Sequence, residues 1–377
     1  MKYPPMKAGC LWLLLCINAI LPAVKPAFSQ DSVRYVDAAS LMMAGKAKTT
    51  KLAYQRIDSA ETGGMPAVIQ TLAKRSAGIA VLFETNSNII RARWKLAGEV
   101  YLPNMTPIGH SGLDLYCLKA GKWQFVNVAR PARGTEQDQL IIQHMDSSMK
   151  QFMLYLPLYN SVEALQIGVR QQALIRAPLQ PGISKNKRIV IYGSSIVQGA
   201  AASRPGMAYP ALLQRRTGYD VINLGFSGSA KMEAAMASYL ATVPADCYVL
   251  DCIPNPTPDL IRERAYPFIK YLREHQPAVP IILVETVFRQ HGYWDRQLGQ
   301  RVRKQNEEIR KTYERLLQEG YRHIYYIRSA ALIGNDYEAT IDGTHLTDLG
   351  FTRITDALLP LIRKALRDKD HSGSKAE

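Results

Sequence analysis

Cysteine is scarce in this chain of 377 residues, and what there is lacks metal-binding spacing. The five cysteines form no Cys-x-x-Cys pair, and no His-Glu-x-x-His accompanies them. The common zinc motifs are therefore absent. Cys10 and Cys16 lie in the first thirty residues and leave with the signal peptide expected there, and the odd count of three that remains gives no disulfide framework. Cys247 and Cys252 sit five positions apart in the apolar stretch Asp246-Cys-Tyr-Val-Leu-Asp-Cys252, an odd spacing that points two strand side chains to opposite faces. Together with Cys117 these are expected to be free thiols. Long hydrophobic runs are equally rare. Leu11 to Ile20, broken only by Asn18, comes after Lys2 and Lys7 and precedes Ala27-Phe28-Ser29, which offers small residues where a signal peptidase reads. Residues 1–29 are expected to be a signal peptide and the product to be periplasmic or extracellular. An uncleaved anchor is the competing reading, and a lipoprotein through Cys16 is disfavoured by the bulky Leu15 before it. No second apolar run of about 18 residues is present, so no integral span is expected once the signal is removed.

Concentrated charge is also missing. The formal charge is +15, and losing residues 1–29 removes three lysines and no acid, leaving +12. Residues 30–185 hold 18 basic and 11 acidic side chains, residues 186–377 hold 26 and 21, and no run of like charge exceeds two residues. Nucleic-acid binders gather their charge on one element and interleave aromatics with it, so nucleic acid is not an expected partner.

The rest of the chain has two textures. From about Asp31 to Arg176, short alternating segments and turns predominate: strands on either side of Asn86-Ser-Asn88, a hairpin of Leu113–Leu118 and Trp123–Val128, then Phe152–Tyr159 and Leu165–Val169. This predicts an N-terminal β-sandwich, jelly-roll-like, over residues 30–185, with Pro178–Lys187 as its linker. From Arg188 the pattern alternates apolar strands (188–192, 221–224, 247–251, 280–285, 324–327) with helical segments (208–217, 232–242, 259–276, 295–319, 347–367). That predicts a three-layer αβα domain with a five-stranded parallel sheet over residues 186–366, and a polar tail over 367–377. Ligands of such sheets lie at the carboxyl ends of the strands.

The residues at those strand ends are therefore decisive. Gly193-Ser194-Ser195-Ile196 comes after the first strand, Gly225-Phe-Ser-Gly228 after the second, and Asp251-Cys-Ile-Pro-Asn255 after the third, while Asp342-Gly-Thr-His345 precedes the last helix. A serine nucleophile at neutral pH needs a base, and His345 can be that base. The imidazole needs an acceptor, and Asp342 can reach it across one turn. The N–H groups of Ser195 and Gly228 and the Asn255 amide can form an oxyanion hole. Neither a metal nor an organic cofactor is expected for this acyl-transfer chemistry. The rival roles are structural: a helix cap for Ser195, and a cap of the last helix for Asp342, which Thr347 fills more naturally. Gly334-Asn335-Asp336 is read as a turn.

These blocks, in this order, resemble the SGNH (GDSL-type) hydrolase superfamily across about residues 188–366. Two departures stand out: Ser194 occupies the family's aspartate position, and Ile253-Pro-Asn255-Pro replaces the usual Gly-x-Asn-Asp. Gly112-Leu-Asp114-Leu-Tyr116 further resembles a bacterial subgroup with a β-rich N-terminal domain marked Gly-x-Asp-Leu-Tyr. The resemblance implies a secreted serine esterase that removes short acyl groups, acetyl foremost, from carbohydrates. A lysophospholipid substrate is the alternative within the same chemistry, and a carbohydrate-binding protein with an inert hydrolase domain the alternative outside it. Arg204, a few residues past the nucleophile, and Arg289, His291 and Trp294 after the fourth strand are candidate substrate contacts. Asp114 and Tyr116 are as readily packing elements against the catalytic domain.

Overall fold

The computed structural model describes residues 32–373, so the expected signal peptide lies outside the described residues. Ten antiparallel strands come first: β1 (Val33–Asp37), β2 (Met42–Ala44), β3 (Ala80–Thr85), β4 (Ile90–Leu96), β5 (Leu113–Lys119), β6 (Lys122–Ala129), β7 (Glu136–Ile142), β8 (Lys150–Tyr155), β9 (Val162–Arg170) and β10 (Ile175–Arg176). One sheet runs β1-β9-β4-β7; the other runs β10-β3-β8-β5-β6, with β2 added beside β3. Two short helices, α1 (Ala67–Ala73) and α2 (Pro107–Ser111), interrupt them.

Alternation explains the layering. On β4, Ile90, Ala92, Trp94 and Leu96 point inward, where they meet Val81 and Phe83 of β3 and Leu113 and Leu115 of β5. β3 is buried along its whole length because its other face, Ala80 and Leu82, joins Tyr116, Met153 and Tyr155 against Ile183 and Ala211 of the next layer. β3 and β4, close in sequence, lie in opposite sheets. The corner between them is held by Ser87 Oγ, which donates to Ile89 O at 2.6 Å, and by Asn86 Oδ1, which accepts from the Leu174 amide at 2.8 Å.

The second layer system is a five-stranded parallel sheet ordered β12-β11-β13-β14-β15, with β11 (Ser184–Gly193), β12 (Tyr219–Gly225), β13 (Cys247–Asp251), β14 (Ile281–Val284) and β15 (Ile324–Ile327). β11 starts within the expected linker, and its register with β12 is irregular until Arg188. Between these strands run α3 (Ser195–Gln198), α4 (Tyr209–Thr217), α5 (Ala234–Ala241), α6 (Pro258–His275), α7 (Arg296–Gln318) and α8 (Asp348–Gly373). Both sheet faces are apolar, so each strand reads as a continuous run. Val190, Ile222, Leu250 and Leu283 face α5, α6 and α7; Ile191, Val221, Val249 and Ile282 face α4 and α8. Cys252 and Cys247 fall on these two opposite sides, and both are free and buried. α8 continues past Arg367 into the expected tail, because Asp368 accepts from the Tyr325 hydroxyl at 2.7 Å and Lys369 reaches Asp246 at 2.6 Å.

From Val33 onward the sandwich and the α/β layers form one contact unit. Their junction is polar at its centre. Asp114 is fully buried on β5 and accepts from Arg204 Nη1 at 2.7 Å and from the Gly206 amide at 2.8 Å. The Arg204 guanidinium also lies over Phe125, 4.2 Å from the ring centroid, and hydrogen-bonds the Tyr116 hydroxyl. Removing one partner of such a pair leaves a buried charge uncompensated. Asp114→Ala is therefore expected to destabilise the protein by about 3–5 kcal/mol, measured by urea denaturation; a change below about 1 kcal/mol would contradict this.

Candidate active site

β12 and β13 flank β11 on its two sides, so the chain reverses its winding direction at β11 and opens a crevice at the strands' carboxyl ends. Ser195 sits there as the first residue of α3. Ser194 precedes it with extended backbone, and its Oγ accepts from the Ile196 amide at 3.2 Å. The helix-cap role that rivalled catalysis for Ser195 thus falls to Ser194. The turn is tight: a Cβ on Gly193 would lie 2.3 Å from Asp251 O and from Val197 Cγ2, so only glycine fits.

Ser195 Oγ is 3.0 Å from His345 Nε2, and His345 Nδ1 is 2.7 Å from Asp342 Oδ2. Ser195 is 8 % exposed. The other Asp342 oxygen accepts from the amides of Thr344 at 3.0 Å and His345 at 2.7 Å. Asp342 is therefore a turn-former as well as a partner of the imidazole, while Thr347 Oγ1 accepts from Gly350 N at 3.4 Å at the start of α8. Burial pushes the Asp342 carboxyl up, but the His345 amide and ring and the Asn104 amide outweigh it and hold it at about 2. Asp342 is thus ionised throughout the neutral range.

Asn104 was not a candidate from sequence. It belongs to the segment between β4 and α2, 238 residues from Asp342, and its Nδ2 donates to Asp342 Oδ2 at 3.1 Å and lies 3.4 Å from His345 Nδ1. That segment rests on the α/β layers: Leu102 and Met105 pack against their core, and Thr106 Oγ1 donates to Ser203 O at 2.6 Å.

Gly228 lies just past β12 with φ +70, in open space. Among the described residues, its N–H and that of Ser195 donate to no protein acceptor. Two buried side chains that the sequence did not single out hold the loops here. Gln198 Oε1 accepts from Ser227 N at 3.0 Å, and Gln305 Nε2 donates to Ile253 O at 3.0 Å and Pro256 O at 2.6 Å. Gln305 thereby braces the unusual Pro-Asn-Pro turn. Asn255 Nδ2 donates to Phe226 O at 3.3 Å, which ties the asparagine to the glycine loop.

Three comparisons bear on identity. Residues 186–363 match the GDSL-like Lipase/Acylhydrolase family, and residues 33–175 match the N-terminus of Esterase_SGNH_hydro-type. A solved structure of a putative GDSL-like lipase from Bacteroides ovatus is 42% identical, covering 89% of this chain and 98% of that chain with a TM-score of 0.86. The chain belongs to the GDSL/SGNH family. It is a carboxylic ester hydrolase by that membership. A salicylyl-acyltransferase from a tetracycline biosynthetic pathway (18% identity, TM-score 0.70, covering 86% and 95%) and a family two carbohydrate esterase from Cellvibrio japonicus (13%, 0.59, 89% and 98%) share the fold. No curated protein matches the sequence.

In this family member, the candidate substrate contacts have varied surroundings. Arg204 faces the sandwich instead of the crevice, held there by Asp114 and Tyr116, because the buried carboxylate requires a cation. Arg289 Nη2 donates to Pro254 O at 2.7 Å and so braces the asparagine turn from the other side. His291 packs on the acid–base loop, where a Cβ on Gly343 would fall 2.2 Å from its Nδ1. Trp294 is 89% exposed. The turn at Gly334 pairs Asp336 with Arg353 at 2.6 Å. Among the described residues, no group of three His, Cys, Asp or Glu is placed to hold a metal, and no helix is long and apolar enough to cross a membrane.

Behind Ser195 lies a second, differently tuned aspartate. Asp251 is wholly buried; its backbone oxygen accepts from Ser194 N at 3.1 Å, and its carboxyl accepts from the Tyr209 hydroxyl at 3.0 Å. Burial raises its pKa to about 7 despite the Tyr209 hydrogen bond. An unfolded aspartate titrates near pH ~3.9. Between about pH 4 and 7 the folded protein keeps a proton that the unfolded chain has released, so this group makes stability fall as pH rises through that window. Asp251→Asn is expected to flatten that fall, read as urea midpoints at pH 5 and pH 8. Equal pH dependence in variant and wild type would contradict it.

Proposed function

We propose that this hydrolase is an exported serine esterase that removes short acyl groups, acetyl foremost, from carbohydrates. The observation that best supports it is the continuous hydrogen-bonded path Asp342–His345–Ser195, at 2.7 Å and 3.0 Å. In this reading Ser195 Oγ attacks the ester carbonyl while His345 Nε2 takes its proton. The oxyanion is met by the N–H groups of Ser195 and Gly228 and by the Asn255 amide. The C–O bond to the alcohol breaks, and His345 returns the proton to that oxygen. Water, deprotonated by His345, then attacks the acyl-enzyme and releases the acid. Asp342, ionised, holds the imidazole and stabilises its charged form, and Asn104 positions Asp342.

Carbohydrate as the acyl carrier is supported by the shared fold with a carbohydrate esterase, and export by the character of residues 1–29. A short acyl group is favoured over a lipid because the catalytic half carries no long apolar insertion that would form a lid.

A fluorophosphonate is expected to label the wild type and not Ser195→Ala, with turnover of p-nitrophenyl acetate lowered at least ~1000-fold in the variant. An unlabelled, inactive wild type would sink the proposal. Across a p-nitrophenyl ester series kcat/KM is expected to fall beyond short chains; a rise past about eight carbons would show a tunnel rewarding each buried CH₂ by ~0.8 kcal/mol, and with it a lipid substrate. Asn104→Ala is expected to lower kcat by about 10- to 100-fold with KM little changed, since a hydrogen bond to a charged group is worth about 1.5–3 kcal/mol. A rise in KM alone would instead assign Asn104 to substrate binding.

A further inference from the structure

Beyond the triad, between the ends of β14 and β15 and the outer face of α7, lies a cavity of about 550 Å³. It shares a wall with the acid–base loop: Gln290 lines it and donates its backbone N–H to Gly343 O at 2.7 Å. Part of its lining is aromatic. Phe288, Tyr293 and Tyr337 stand in line, with successive ring centroids 4.5 Å and 5.2 Å apart. Tyr293 and Tyr337 are more than half exposed, and Tyr337 holds φ +67, a left-handed backbone unusual for so large a side chain.

The lining is also cationic. Arg303 and Arg310 are seven residues apart on α7, two turns along one helix face, and Arg328 comes directly after β15. Among the described residues Arg303 and Arg328 form no ion pair, and Arg310 reaches Glu314 only at 3.8 Å. The acids of the cavity are already engaged. Glu285 at its floor is 8% exposed, and accepts from the Tyr326 hydroxyl and, at 2.7 Å, from Ser329 N; Glu307 is paired with Lys311 at 2.8 Å. Unpaired arginines are ordinary on a basic surface. Two exposed tyrosines lining the same cavity are not, and Arg303 itself lies over the Phe288 ring, 5.7 Å from its centroid.

The two kinds of side chain call for different halves of one ligand. An exposed tyrosine ring suits the apolar face of a sugar ring, and a guanidinium fork matches a carboxylate. The carboxylates of Glu285 and Glu307 disfavour a dianion such as a phosphate ester more than a monoanion. We propose that this cavity is a subsite for a uronic acid unit of the glycan whose ester the triad cleaves. The inference rests on the carbohydrate-esterase reading and extends it to acidic, acylated polysaccharide.

The test is binding without turnover. The full chain carrying Ser195→Ala is titrated calorimetrically with trigalacturonate, xylotriose and galactose 1-phosphate. Trigalacturonate is expected to bind at least tenfold tighter than xylotriose and tighter than the phosphosugar. Adding Arg303→Ala with Arg328→Ala is expected to weaken trigalacturonate at least tenfold, whereas Lys304→Ala, which removes the same charge from the neighbouring helix position, leaves it unchanged. Tyr337→Ala, made separately, is expected to weaken it too, so the result stands even if the double variant fails to fold. Equal affinity for the acidic and neutral sugars, tighter binding of the phosphosugar, or full affinity retained without the arginines overturns the proposal. Fluorophosphonate labelling of the wild type reports on the esterase reading independently, so failure of one is distinguishable from failure of the other.

Discussion

The active-site arrangement depends on the sandwich staying docked, and docking turns on one buried carboxylate. Asp114 carries a charge into the junction that must be paired, and its partners Arg204 and Gly206 lie in the segment that leaves α3, directly after Ser195. The same junction continues along the crevice: Thr106 bonds Ser203 O, and the Ser203 amide donates to Asp348 at 3.0 Å, at the start of the helix just past His345. Ser195 and His345 thus stand on segments that the N-terminal region clamps, and that region also delivers Asn104. The Gly-x-Asp-Leu-Tyr motif is best understood as this clamp.

The strand-end loops have little regular structure, and buried side chains replace it. Gln198 and Gln305 satisfy the glycine and asparagine turns, and Arg56, wholly buried without a carboxylate, donates to the carbonyls of Leu72, Arg75, Asn223 and Gly225. Burial without an anion lowers the Arg56 pKa to about 9. In a low-dielectric interior such groups are tolerated only when their donors are met, and once met they hold the loops rigidly. That rigidity suits an oxyanion site, whose donors must be in place before charge develops.

The two aspartates near Ser195 show how environment divides one chemistry into two. Asp342 accepts from two backbone amides, an imidazole and a carboxamide, and remains a carboxylate down to about pH 2. Asp251 has a single hydroxyl donor and no solvent, and holds its proton to about pH 7. One serves as a fixed negative charge beside His345. The other packs the base of the turn that carries Ser195.

Much of this was legible in the amino-acid order because it is local. A strand covered on both faces reads as an unbroken apolar run, so all five strands of the parallel sheet and the longer helices could be located, though not the short α3, and the candidates Ser195, Gly228, Asn255, Asp342 and His345 were picked out from turns adjoining those strands or opening the last helix. The Asp-x-x-His spacing could be read the same way, since three residues of a turn set its reach. What the chain does at a distance could not be read. Asn104 stands in a polar loop with no periodic signal, Gln198 and Gln305 look like ordinary helix residues, and nothing near Arg204 distinguishes a partner in the sandwich from a substrate in the crevice. The placement of β3 and β4 in different sheets is of the same kind, because alternation reports which residues share a face and not which sheet the strand joins. Local patterns arise from backbone geometry and burial; pairing across a hundred residues or more is chosen only when the chain closes on itself.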